Sequence, residues 1–127
     1  MTSIPNLAAY DTETAQFRAG EQAPPIVCAS SAQFVDGKIV GELIVGADAA
    51  RSRFVKLLSS DFIIAFANAP YDLAVLAESD PSLLPIIFKA LRDRKIHDIL
   101  IAQSLDAIFH GTLGLDPQTG KDLRSPS

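Results

Sequence analysis

Apolar residues along this chain fall in short blocks whose spacing switches between that of strands and that of helices. Leu7 to Tyr10 is a brief apolar run that ends abruptly in Asp-Thr-Glu-Thr, the pattern of a buried strand whose carboxyl end meets solvent. A polar loop closed by Pro24 and Pro25 leads to two apolar runs, Ile26 to Val35 and Lys38 to Val45. Between them lies Asp36-Gly37, a dipeptide that tolerates positive φ at both positions and so predicts an antiparallel hairpin of strands two and three. From Asp48 onward Ala49, Phe54, Val55, Leu57 and Leu58 recur at near-helical spacing, with Arg51, Arg53 and Lys56 mostly between them, which predicts a first helix. Asp61 then introduces Phe62 to Ala67, a continuous apolar run of strand length, expected to be buried on both faces.

Asn68-Ala-Pro70 follows, with Asn68 suited to a helix cap and Pro70 to a first turn. Tyr71, Leu73, Ala74, Leu76 and Ala77 carry the second helix, Asp80-Pro81 interrupts it, and Leu83 to Leu91 resumes in helical style. Ile96 marks a short strand. Asp98 caps a third helix in which Ile99, Leu100, Ala102, Leu105, Ile108 and Phe109 are expected to form a core stripe. After Gly111 no apolar periodicity remains, so residues 1–110 read as one domain and 111–127 as a flexible tail. The element order predicts a mixed α/β sheet of about five strands with helices on its faces.

A chain of 127 residues is enough for a single core. Cys28 is its only cysteine, which excludes an internal disulfide and a thiolate metal site. Met1 to Asn6 carries no basic patch followed by an apolar run, and no stretch approaches the ~20 apolar residues that span a bilayer. A cytoplasmic protein without membrane contact is expected. The net charge of −4 counts against strong phosphate binding through lysine and arginine. That objection weakens if carboxylates meet phosphate through bound cations, which reverse the local charge.

The acids of interest sit where strands end. Side chains alternate along a strand, so Asp11 and Glu13 point to the same face. Two carboxylates held together repel unless a divalent cation lies between them, and hard oxygen ligands suit Mg²⁺ or Mn²⁺. An ordinary solvated turn is the competing reading, and for these two residues alone it is the stronger one. Asn68-Ala-Pro-Tyr-Asp72 strengthens the first, because it places another acid where a buried strand passes into a helix, the edge at which open α/β sheets gather ligands. Without a ligand, Asn68 is a cap, Tyr71 a packing residue and Asp72 a charge that favours the helix dipole.

Asp11-Thr-Glu13-Thr14 after the first strand and Asn68-x-x-Tyr71-Asp72 after the fourth resemble the first and second motifs of the DEDD 3′–5′ exonuclease superfamily. His97-Asp98 leading into Ile99 to Leu105 resembles the segment those proteins carry before their last motif. The chain as a whole, including Tyr71-Asp-Leu-Ala-Val-Leu76, is similar to the proofreading domain of bacteriophage family A DNA polymerases. The resemblance implies an RNase H-like fold, a polymerase domain in cis or in trans, the single-stranded 3′ end of DNA as substrate, and hydrolysis of its terminal phosphodiester with two Mg²⁺ or Mn²⁺ ions. It implies catalytic and metal-binding roles for Asp11, Glu13 and Asp72, and contacts to the substrate strand from Thr12, Thr14, Asn68 and Tyr71. Tyr71 reads more readily as an anchor of the helix on the sheet than as a platform for a base.

The chain departs from the family in lacking a fourth carboxylate on a final helix, in the pattern Tyr-x-x-x-Asp or His-x-x-x-x-Asp. His110 and Asp116 have the wrong separation, and Gly111, Gly114 and Pro117 oppose a helix between them. A truncation before the last motif is therefore expected, with apolar surface left uncovered and self-association a way to hide it. His97 reads as structural, Asp98 as a cap, and Arg92 to Lys95 as a solvated connection. The alternative function is an inactive exonuclease-fold scaffold or interaction module. A phosphotransferase using Asp-x-Asp-x-Thr is disfavoured by Glu13 and Ala15.

Overall fold

Asp36 and Gly37 both adopt positive φ, 50° and 79°, the backbone of a type I′ turn whose twist suits the strands it joins. In the computed structural model, which describes residues 6–16, 19–20, 23–112, 114, 116 and 118–122, this turn links β2 (Ile26–Val35) to β3 (Lys38–Val45). Their ladder is unbroken from Val35↔Lys38 to Cys28↔Val45. β1 (Leu7–Thr14) pairs antiparallel with β2 and parallel with β4 (Ile63–Phe66), and β5 (Ile96–Asp98) extends the parallel side. The result is a mixed five-stranded sheet of order β3-β2-β1-β4-β5.

One face of this sheet carries the core. Along β1, Ala8, Tyr10 and Thr12 are buried while Leu7, Ala9, Asp11 and Glu13 are exposed, the alternation expected of a strand covered on one side. The Tyr10 ring meets Phe54 of α1 (Ala47–Leu58) and Phe66 of β4 at 5.8 Å each, and those two rings lie 6.2 Å apart. The Tyr10 hydroxyl, which would be costly to bury alone, donates to the carbonyl of Ala50 at 2.7 Å. This aromatic trio fixes α1 over the central strands. Gly46, at φ 97°, makes the turn from β3 into α1 that an L side chain would strain.

Asn68 precedes α2 (Ala69–Ser79), and Asp80 ends it by accepting from the Ser82 amide at 3.0 Å as a 3-10 turn, Pro81–Leu83, begins. α3 (Leu84–Arg92) then buries Ile87 and Ala90. Lys95 is not merely part of a solvated connection: its Nζ donates to the carbonyls of Leu58, at 2.6 Å, and Ser60, tying the loop before β5 to the end of α1.

Three expectations change. Helices were expected on both faces of the sheet, but α1 and α2 both pack on the side of Tyr10 and Thr12, and the other face stays open among the described residues. Consequently β4 is fully buried only at Ile64 and Phe66, with Ile63 and Ala65 half-buried. The apolar stripe of α4 (Ile99–Phe109) forms no core, because none of its residues is buried and Phe109 is 86% exposed. No helix among the described residues is long and apolar enough to cross a membrane. The leader reading falls mostly on residues 1–5, outside the described residues, as do residues 113, 115, 117 and 123–127 of the expected tail. Within the described part of that tail, Asp116 and Lys121 close a short turn through a 2.7 Å backbone bond.

Truncating Phe66 to alanine should therefore cost about 3–5 kcal/mol of unfolding free energy, whereas the same change at Phe109 should stay within about 0.5 kcal/mol. Urea titration of both variants checks this, and similar losses at the two sites would contradict the assignment of the core.

Candidate functional site

β1 and β4 run parallel, so their carboxyl ends emerge at the same edge of the sheet. Parallel pairing stops at Ala9↔Ala65, yet β1 continues to Thr14 while the chain after β4 turns into α2. The first turn of α2 thus lies beside the outer half of β1. Two consecutive side-chain contacts hold it there. The amide and hydroxyl of Thr12 both donate to Asp72 Oδ1, at 3.0 and 2.6 Å, and Thr14 Oγ1 lies 2.9 Å from the Tyr71 hydroxyl.

The amino end of α2 is satisfied locally and from a distance. The Asn68 carbonyl accepts from the amides of Tyr71 and Asp72, at 3.2 and 3.3 Å, while its side chain makes no cap bond. Pro70 has no amide to satisfy. The Ala69 amide donates to Asp98 Oδ2 at 3.0 Å, and the other oxygen of the same carboxylate accepts from Ile101 at 3.0 Å. Asp98 therefore caps α4, as expected, and also fastens the start of α2. The second role has no local signal in the sequence, since its partner lies across the sheet edge.

Asp11 and Glu13 are exposed on the open face, in register with Ser30 and Cys28 of β2. A ladder irregularity follows Glu13. Thr12 points the other way, under α2, and it takes Asp72 with it. Asp72 is 2% exposed. Burial pushes its carboxyl above the ordinary range, the hydrogen bonds from Thr12 oppose that shift, and the charge of Asp11 adds to it. The motif residues are thus brought together, but the groups in contact are Thr12 with Asp72 and Thr14 with Tyr71, with Asp11 near enough to Asp72 to be felt electrostatically.

Asn68 is exposed at the same edge, and Tyr71 is half-buried and packs against the core. Thr12 is buried and Thr14 half-buried, both engaged with α2. His97 is exposed on β5 opposite Ala65. His110 is drawn to Asp106, with Nδ1 to Oδ1 at 3.4 Å, and Asp116 caps its own turn.

The donor chemistry of Asp11 and Glu13 suits a hard divalent cation. The set is incomplete, because only these two carboxylates share a face and Asp72 is turned to the other. Among the described residues no group of three or more His, Cys, Asp or Glu side chains is placed to hold a metal ion. The described residues do not by themselves form a two-ion centre.

Because the native carboxyl of Asp72 titrates above its unfolded value, the native state holds that proton more tightly. Its contribution to stability is greatest below the ordinary carboxylate range, declines as pH rises through the raised native value, and remains a cost at neutral pH. Asp72→Asn keeps an acceptor for Thr12 without the charge, so it should be at least as stable as the wild type at pH 7 and lack this decline. Asp72→Ala leaves the Thr12 amide unpaired and should lose roughly 1–3 kcal/mol. Denaturant titrations from pH 4 to pH 8 separate the two, and an asparagine variant as unstable as the alanine one would show that the charge itself is required.

No protein-family model matches this chain, and no curated protein or solved structure does so either.

Proposed function

We propose that this chain is an RNase H-like exonuclease domain that removes nucleotides from the 3′ end of single-stranded DNA beside a polymerase domain. The observation that carries the reading is the contact of Thr12 with Asp72, which joins the Asp-x-Glu and Asn-x-x-Tyr-Asp segments at one sheet edge. Separated by some sixty positions in sequence, those segments have no reason to meet unless the fold brings them there. The strand order, with an antiparallel hairpin on one side of β1 and parallel strands on the other, is the arrangement an RNase H-like domain requires.

In the proposed reaction a water oxygen bonds to the terminal phosphorus, the bond from phosphorus to the 3′ oxygen breaks, and a nucleoside 5′-monophosphate leaves. Asp11 and Glu13 would face the substrate from the open side of the sheet, and the exposed Asn68 amide would meet the strand at the same edge. Mg²⁺ or Mn²⁺ is the proposed cofactor on grounds of ligand type, and a complete site needs carboxylates beyond Asp11 and Glu13. The backbone of β1 is held against α2 by Thr12 and Thr14, which would fix the two acids relative to Asn68.

A second reading, an inactive scaffold of the same fold, is favoured by one observation: the Asp72 carboxylate is buried and already engaged by Thr12. Release of nucleotides from a 3′-labelled single strand, in Mn²⁺ or Mg²⁺, decides between them. Metal-dependent release by the wild type that falls to background in Asp11→Ala supports the enzyme. No release from folded protein supports the scaffold, and release indifferent to the substitution would contradict the role given to Asp11.

A further inference from the structure

Among the described residues the outer edge of β3 is a strand surface without a strand beside it. β3 ends the sheet, so half of its backbone N–H and C=O groups point away from β2. Natural edge strands are usually guarded by shortness, proline, bulges or repeated like charges. β3 has eight residues, no proline and an unbroken register with β2. Its only charges, Lys38 and Glu42, are opposite in sign. Ile39 and Val40 are 77% and 54% exposed.

We infer that β3 pairs antiparallel with β3 of a second copy of this chain, about a two-fold axis through Val40, so that the two sheets become one. Such pairing keeps the helix-covered faces on one side, and opposed residues then share a face. With the axis at Val40, Lys38 lies opposite Glu42 of the second copy, and the reverse pair forms by symmetry. Lys38, Val40 and Glu42 belong to the helix-covered side, as their pairing with Val35, Gln33 and Ser31 shows. On the open side Ile39 lies opposite Gly41 of the second copy, where the missing side chain leaves room for it.

Charge selects this register. An axis at Glu42 opposes that carboxylate to itself, and like charges directly opposite destabilise a ladder. An axis at Gly41 sets Lys38 against Ile44 and Glu42 against Val40, so neither charge finds its opposite. Glu42 already accepts from Arg53, at 2.8 Å through Nη2, but half of its side chain remains exposed and open to a second cation. Among the described residues Lys38 makes no ion pair. The inference concerns the sheet edge alone and stands apart from the proposed nuclease reading.

Sedimentation velocity of the intact chain over a dilution series tests it. The wild type should sediment as a dimer that dissociates on dilution. Val40→Lys sets two like charges on the axis at an exposed position. It should be monomeric at concentrations where the wild type is dimeric, with an unchanged circular dichroism spectrum. In a Cys28→Ser background, Val40→Cys should form a disulfide-linked dimer under mild oxidation and Val45→Cys should not. A wild type that is monomeric throughout would overturn the inference. So would a dimer that survives Val40→Lys and is dissolved by Phe34→Lys, since that would assign association to the open face.

Discussion

A carboxylate taken out of water must be hydrogen-bonded, or it returns to solvent and carries its helix with it. Asp72 meets that requirement chiefly through Thr12, whose amide and hydroxyl converge on a single oxygen. Because Thr12 belongs to the central strand, this contact fixes where α2 begins relative to β1. Tyr71 and Thr14 make a second contact nearer the end of β1, and Asp98 holds the helix from the β5 side. The sheet edge at which Asp11, Glu13 and Asn68 gather exists because α2 is fastened there.

The same contact divides the acidic residues. Alternation along β1 sends Thr12 under the helix and therefore sends Asp11 and Glu13 to the open face. Helix packing on one side leaves the other side of the sheet open among the described residues, with Leu43 and Val45 exposed in register with Asp11 and Glu13, and Phe34 and Ile39 exposed farther along β2 and β3. An apolar, largely uncharged surface bearing a pair of acids at one edge differs from the solvated face of an ordinary two-layer domain.

Much of this was legible in the residues. The hairpin followed from Asp36-Gly37, the boundaries of β2 and β3 from their apolar runs, and the break after α2 from Asp80-Pro81, because each depends on local backbone preference. Burial was less legible. Ile99, Leu105 and Ile108 recur with the spacing of a core stripe, but periodicity records a capacity to pack and not the presence of a neighbour. The acids of β1 and α2 were expected to converge, since both follow strand ends at one edge. Their separation to opposite sides of β1 depends on which face of the sheet becomes the core, and that is set by the packing of Tyr10 on Phe54 and Phe66, two residues distant in sequence from β1. The two roles of Asp98 were half visible, for the same reason of distance.

The proposed reading puts a DNA 3′ end at the carboxyl edge of β1 and β4. Amide resonances followed by NMR, as a short single-stranded oligodeoxynucleotide is added with Mg²⁺, test that placement most directly. Shifts centred on residues 11–14 and 68–72 are the predicted result. No shifts, or shifts confined to surfaces away from that edge, would contradict it.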